Sequence, residues 1–166
     1  MATAGYSGTP LPQKLGIKDG HHVAVLGAPA GFALDTPAAI AHAKLPREPK
    51  LDVIVTFVTT RAQLVAQLAA CRPHMQAAAG LWIAWPKKSS GVATDIVEQT
   101  IRDVALPTGL VDNKVCAIDD TWSGLRLVIR RELRTTAPAA PPRKTPKPSA
   151  ARSRRAPPAR RRAGKR

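Results

Sequence analysis

The chain has 166 residues, 44% of them hydrophobic and 22% charged, which suits one domain with appendages. Its net charge of +15 is uneven: eleven of the 26 Lys and Arg lie from Thr135 to Arg166, where there is no Asp or Glu. The other fifteen face eleven acidic residues in 1–134, a net of +4, so the body is ordinary and the tail is the polycation. No apolar run nears the ~20 residues that span a bilayer, and no basic segment followed by an apolar one marks a signal peptide. A cytoplasmic protein is therefore expected, with association to the nucleoid as the option that the basic tail adds.

Residues 1–13 are rich in Gly, Pro, Ser and Thr and read as an extended lead-in, with a helical turn at Lys14 to Ile17. The body runs from residue 14 to 134. His22-Val23-Ala24-Val25-Leu26 is a short apolar run ending at Gly27, the pattern of a strand covered on both faces. Ala28 to Gly31 is a loop, and Phe32 to Ala43 is ambiguous. Pro37 can start a helical turn at Ala38, and a weak strand can follow near Ala41 to Leu45. Leu51 to Val58 is dense in β-branched residues and is the clearest strand.

Thr59 or Thr60 can cap the next helix, whose apolar stripe is Leu64, Val65, Leu68 and Cys71, up to Pro73. Leu81 to Trp85 reads as a strand closed by Pro86. Thr94 is the expected cap of a further helix, with Asp95 and Glu98 in its first turn and Ile96, Val97, Ile101 and Val104 on its apolar side. Lys114 to Ile118 and Gly124 to Arg130 are strands joined by a link short enough for a hairpin. Alternating strands and helices imply a single Rossmann-like α/β domain. Its sheet should be mainly parallel, of about five or six strands, and end in an antiparallel hairpin.

Gly80-Leu81-Trp82-Ile83-Ala84-Trp85-Pro86, a helix and a terminal hairpin resemble the second half of a shortened class I S-adenosylmethionine-dependent methyltransferase fold. That resemblance implies a cofactor site at the glycine loop after the first strand, where Gly27-Ala28-Pro29-Ala30-Gly31 stands. The sequence departs from it in three places. Pro29 removes a backbone donor, the stretch before Leu51 is too short for two βα units, and Glu48 is the sole candidate for a ribose-holding acid. Tyr6 to Leu11, Trp85 to Gly91 and Leu110 to Gly124 also resemble an uncharacterised actinobacterial family, a domain of unknown function.

Two loops are candidate ligand sites. Gly27 and Gly31 can let backbone approach a ligand or simply make a turn. Lys87, Lys88, Ser89, Ser90 and Gly91 follow a strand at the sheet's carboxyl edge, where two ammonium groups and two hydroxyls suit a phosphate or a solvated loop. Trp85 and Trp122 either line a pocket or pack. The pairs Asp112-Asn113 and Asp119-Asp120 flank one strand and read as turn residues rather than as acid and base. Cys71 and Cys116 form no metal or redox motif, and His21, His22, His42 and His74 show no ligand spacing, so no metal is expected.

The tail, residues 135–166, holds seven prolines and no aromatic or branched aliphatic residue, a composition that stays disordered. Arg143, Lys144, Lys147, Arg152, Arg154, Arg155, Arg160, Arg161, Arg162, Lys165 and Arg166 suit DNA or RNA phosphates without reading sequence, or an acidic protein partner. The leading expectation is a non-enzymatic accessory protein held near nucleic acid by this tail, with no cofactor. The alternative is a small-ligand-binding or methyltransferase-like enzyme whose cofactor is S-adenosylmethionine or a nucleotide.

Overall fold

The computed structural model describes residues 8–134; the tail and the first seven residues lie outside it, and with them every residue expected above to bind a polyanion. Within it, apolar runs became strands. β1 (His22–Leu26), β2 (Ile40–His42), β3 (Leu51–Phe57), β4 (Met75–Pro86), β5 (Leu110–Ala117) and β6 (Trp122–Ile129) form one sheet in the order β2-β1-β3-β4-β6-β5. The pairs from β2 to β4 are parallel, while β6 is antiparallel to both β4 and β5. This is the Rossmann-like, mainly parallel sheet with a terminal hairpin that the element order implies.

Three helices accompany the sheet: α1 (Leu11–Lys14), α2 (Arg61–Cys71) and α3 (Glu98–Ala105). α1 falls partly inside the stretch expected to be extended; Pro12 stands in its first turn, where a missing N–H costs nothing. α2 starts at Thr60, whose Oγ1 accepts from Gln63 N at 3.2 Å while Gln63 Oε1 accepts from Thr60 N at 3.4 Å. This reciprocal capping box satisfies two of the helix's free donors. Asp95 Oδ1 takes a third, Arg61 N, at 2.8 Å. Asp95 therefore serves α2 rather than the first turn of α3.

Thr94, expected to cap α3, instead donates to Thr59 O (2.6 Å) and accepts from Ile96 N (3.1 Å), and the helix begins later, at Glu98. Arg102 of α3 donates from Nε to Asp112 Oδ2 at 3.0 Å and also pairs with Glu98, tying the helix to β5. Asp112 is thus an ion-pair partner.

The two faces of the sheet are covered differently. α2 and α3 pack Leu64, Leu68, Cys71, Ile101 and Ala105 on Ile54, Leu81, Ile83 and Leu125. Val65 and Val97, expected on those apolar sides, are 49% and 45% exposed: Val65 sits about a quarter-turn off the buried stripe of α2, and Val97 is the extended residue before α3 begins. The opposite face, built on Val53, Val55, Trp82 and Ala84, has loops in place of helices. Leu11, Leu15 and Ile17 cover it from the N-terminal side, and Phe32, Leu34 and Ala39 from the β1–β2 connection. Trp82 Nε1 donates to Leu15 O at 3.0 Å and Lys114 Nζ to Lys14 O at 3.0 Å, which latch the N-terminal segment across the sheet. Pro37–Ala38 forms only a turn, so no helix covers this first crossover.

Candidate functional site

The chain crosses from β1 to β2 on one side and then places β3 on the other side of β1. Loops leaving β1 and β3 therefore diverge to opposite faces of the sheet at its carboxyl edge. In open α/β sheets that reversal is where ligands bind.

Gly27 leaves β1 at φ +65°, a conformation that L side chains resist, and a Cβ there would lie 3.1 Å from Phe57 O. Its lack of a side chain thus serves the approach of β1's end to β3. Gly31, at φ +82°, faces open space, and Phe32 N donates to Pro29 O at 3.1 Å to close the turn. The turn delivers Phe32 onto Phe57 (centroids 4.8 Å apart), and Phe57 meets Trp122 edge-on at 5.0 Å. This aromatic row floors the carboxyl edge from β1's loop to the hairpin. Trp85 is not part of it: it packs among the helix-face residues, on the far side of the sheet from Trp122.

The 87–91 loop stands at the same edge, after β4. Lys87 N donates to Thr121 O (2.8 Å) and Lys87 Nζ to Asp119 O (2.7 Å), so this lysine splices the loop to the hairpin turn. Asp119 Oδ1 accepts from Thr121 N and Trp122 N, both at 2.8 Å, which makes it a turn residue. Ser90 Oγ donates to Lys87 O and accepts from Val92 N, and Gly91 takes φ +72°. Lys88 and Ser89 are exposed, with no partner among the described residues. Of the five residues singled out here, two hold the loop together and two face outward.

One buried polar atom at this edge is orphaned. Thr56, fully buried, stands in register with Leu26, the last residue of β1, and its Oγ1 has no partner among the described residues. Buried hydroxyls are nearly always paired.

Away from this edge, His22 Nδ1 and His42 Nε2 lie 3.0 Å apart across β1 and β2, a pairing their sequence spacing does not reveal. Both cysteines are free; burial pushes the Cys71 thiol up to about 12 and also raises that of Cys116, so neither is poised as a nucleophile. No group of three or more His, Cys, Asp or Glu among the described residues could hold a metal, and no described helix is long and apolar enough to cross a membrane.

No protein-family model matches the chain, and no curated protein does. Solved structures do. The ribosomal protein L11 methylase of Lactobacillus delbrueckii subsp. bulgaricus is 10% identical at a TM-score of 0.46, over 68% of this chain and 71% of that one. Aeropyrum pernix fibrillarin, with natively bound S-adenosyl-L-methionine, is 14% identical at 0.47, over 72% and 69%. LepI in complex with SAM is 11% identical at 0.47 over 74% of this chain, which spans about half (47%) of LepI. The likeness is one of α/β layout alone.

The donor set of such a cofactor site is incomplete here. β2 ends at His42, followed by Ala43 and Lys44, so no acid stands where a ribose would be held. Glu48 is exposed in the connection leading to β3, and Pro29 offers no N–H. Among the described residues the groups that the resemblance implies for such a cofactor are not brought together, and no transfer step follows from them.

Proposed function

We propose that this protein binds a small ligand at the carboxyl edge of its sheet, between the ends of β1 and β3. The observation that carries the reading is the reversal of strand order at β1. The tight Gly27 turn and the exposed Lys88 and Ser89 support it. An adenosyl ligand such as S-adenosylmethionine is the first candidate, its adenine against Phe32, the partly exposed end of the Phe32–Phe57–Trp122 row. This reading, the alternative at the level of sequence, is favoured over a purely accessory role by the reversal of strand order, the place where open α/β sheets bind ligands. Calorimetry with S-adenosylmethionine, S-adenosylhomocysteine, ATP and NAD tests it; saturable heat with any of them is expected, and none with all four overturns it.

A second reading concerns the tail, favoured by the eleven uncompensated positive charges of residues 135–166. These residues bind DNA or RNA through phosphates without sequence preference. With roughly five to eight phosphate contacts, log K falls by about five to seven per decade of salt. A slope near zero, or one unchanged when Arg160, Arg161 and Arg162 become Gln, would sink this reading. An acidic protein partner is the competing outcome, recognised by binding that polyglutamate displaces and DNA does not.

A further inference from the structure

Arg126 stands where its strand calls for something else. Along β6, Trp122, Gly124, Arg126 and Val128 share one side of the sheet, the side covered by the N-terminal segment, and Trp122 and Val128 are buried. Arg126 pairs in register with Trp82 of β4 and leans over Gly80. A Cβ on Gly80 would lie 2.6 Å from Arg126 Nε and 3.2 Å from its Cζ, so the bare backbone of residue 80 forms the seat for the guanidinium. The guanidinium is only partly exposed, yet among the described residues it has no carboxylate or carbonyl partner. Burial, together with the charge of Arg134, lowers its pKa from the ordinary value. A part-buried guanidinium is normally paired, because its planar donor fork loses water that a partner must replace.

The space in front of it is a cleft of about 420 Å³, within the roughly 300–1,000 Å³ range of small-molecule sites. It opens toward the amino edge of the sheet, opposite the carboxyl edge described above, and lies between the N-terminal segment and the hairpin. Lys14, Lys18, Lys114, Arg126, Asp52 and Gln76 line it, four cations against one carboxylate. The carboxylate is engaged: Asp52 Oδ2 accepts from His22 N at 2.8 Å. Gln76 Nε2 donates to Lys50 O at 3.4 Å. Lys114 gives one of its three donors to Lys14 O, and Lys18 is exposed with no side-chain partner among the described residues.

We propose that this cleft is a binding site for a phosphorylated small molecule, with a phosphate against Arg126 and the lysines beside it and the organic part toward Asp52 and Gln76. An oxyanion supplies what Arg126 lacks: two acceptors in the plane of its fork and a negative charge, in a setting where the lysines add attraction. The Asp52 side gives the cleft a polar wall that a bare phosphate would not use. The site is separate from the carboxyl edge and from the tail, and it stands whether or not that edge binds a ligand.

The experiment is a ¹H–¹⁵N NMR titration of the full chain, following the Arg126 Nε–H, the Gly80 amide and the Trp82 indole N–H. The probes are inorganic phosphate, pyrophosphate, ribose 5-phosphate and a short DNA duplex. Saturable shifts of these three signals are expected with pyrophosphate and ribose 5-phosphate, and only the latter should also move Asp52 and Gln76. Arg126→Gln should weaken ribose 5-phosphate about tenfold or more, and Lys18→Gln, on an exposed loop, by a few-fold with the spectrum otherwise unchanged. The proposal is overturned if the three signals stay still with every phosphate, if Lys18→Gln and Arg126→Gln both bind like the parent, or if only the DNA duplex moves them. Equal affinity for inorganic phosphate and ribose 5-phosphate, with Asp52 and Gln76 unmoved, would overturn the organic part.

Discussion

At the carboxyl edge of the sheet two of the four polar side chains of the Lys87–Gly91 loop are spent on the protein itself; at the amino edge the side chains of Arg126 and Lys18 have no partner among the described residues. Lys87 and Ser90 hold their loop to the hairpin, and an aromatic row floors the edge. Arg126 lies part-buried over Gly80 in a cleft with three lysines. Cationic side chains that look alike in sequence thus do different work: Lys87 builds the fold, while the side chains of Arg126 and Lys18 have no partner among the described residues.

The largest effect expected from this contrast is at Gly27. Gly27→Val sets a β-branched residue at φ +65° with its Cβ 3.1 Å from Phe57 O, and should cost about 2–3 kcal/mol in urea unfolding. A loss under about 0.5 kcal/mol would mean that the close approach of β1's end to β3 does not matter. Next comes Lys87→Met, which removes a part-buried donor from Asp119 O and should cost about 1–2 kcal/mol. A neutral result there would return Lys87 to the pool of groups free for a ligand.

Arg126→Met should act in the opposite direction. Replacing an unpaired, part-buried cation with an apolar chain should raise stability by about 1 kcal/mol, and pyrophosphate should stabilise the parent but not the variant. If the variant is instead destabilised, the arginine is structural and the contrast between the edges fails. The smallest effect belongs to Lys88→Ala, within about 0.5 kcal/mol, since its side chain is exposed and unpaired among the described residues.

Much of the fold was legible because the strands β1 and β3 are continuous apolar runs and two threonines, of which Thr60 proved to be the cap, precede the stripe of α2. β4 begins six residues before its readable part, as Met75 to Gly80 is mostly Gln and Ala, with little strand signal. The start of α3 was misplaced because Thr94 and Asp95 look like a cap but are used across space, on Thr59 and Arg61. The two loops proposed as sites do end parallel strands at one edge, as the strand–loop–helix order implied. What their residues bond to was not legible, since Lys87 meets Asp119 and Phe57 meets Trp122 only after the hairpin folds back. Arg126 did leave a signal. The two-residue period of β6 sets it on the same side as the apolar Trp122 and Val128, where a charge is out of place.

The most direct test of a carboxyl-edge site is a titration of the full chain with S-adenosylmethionine, followed residue by residue in ¹H–¹⁵N spectra. Saturable shifts at Gly27 to Phe32, Thr56 to Thr60 and Lys88 to Gly91, with Arg126 and Gly80 unmoved, are the expected result. Shifts confined to the amino edge or the tail, or none at millimolar ligand, would contradict it.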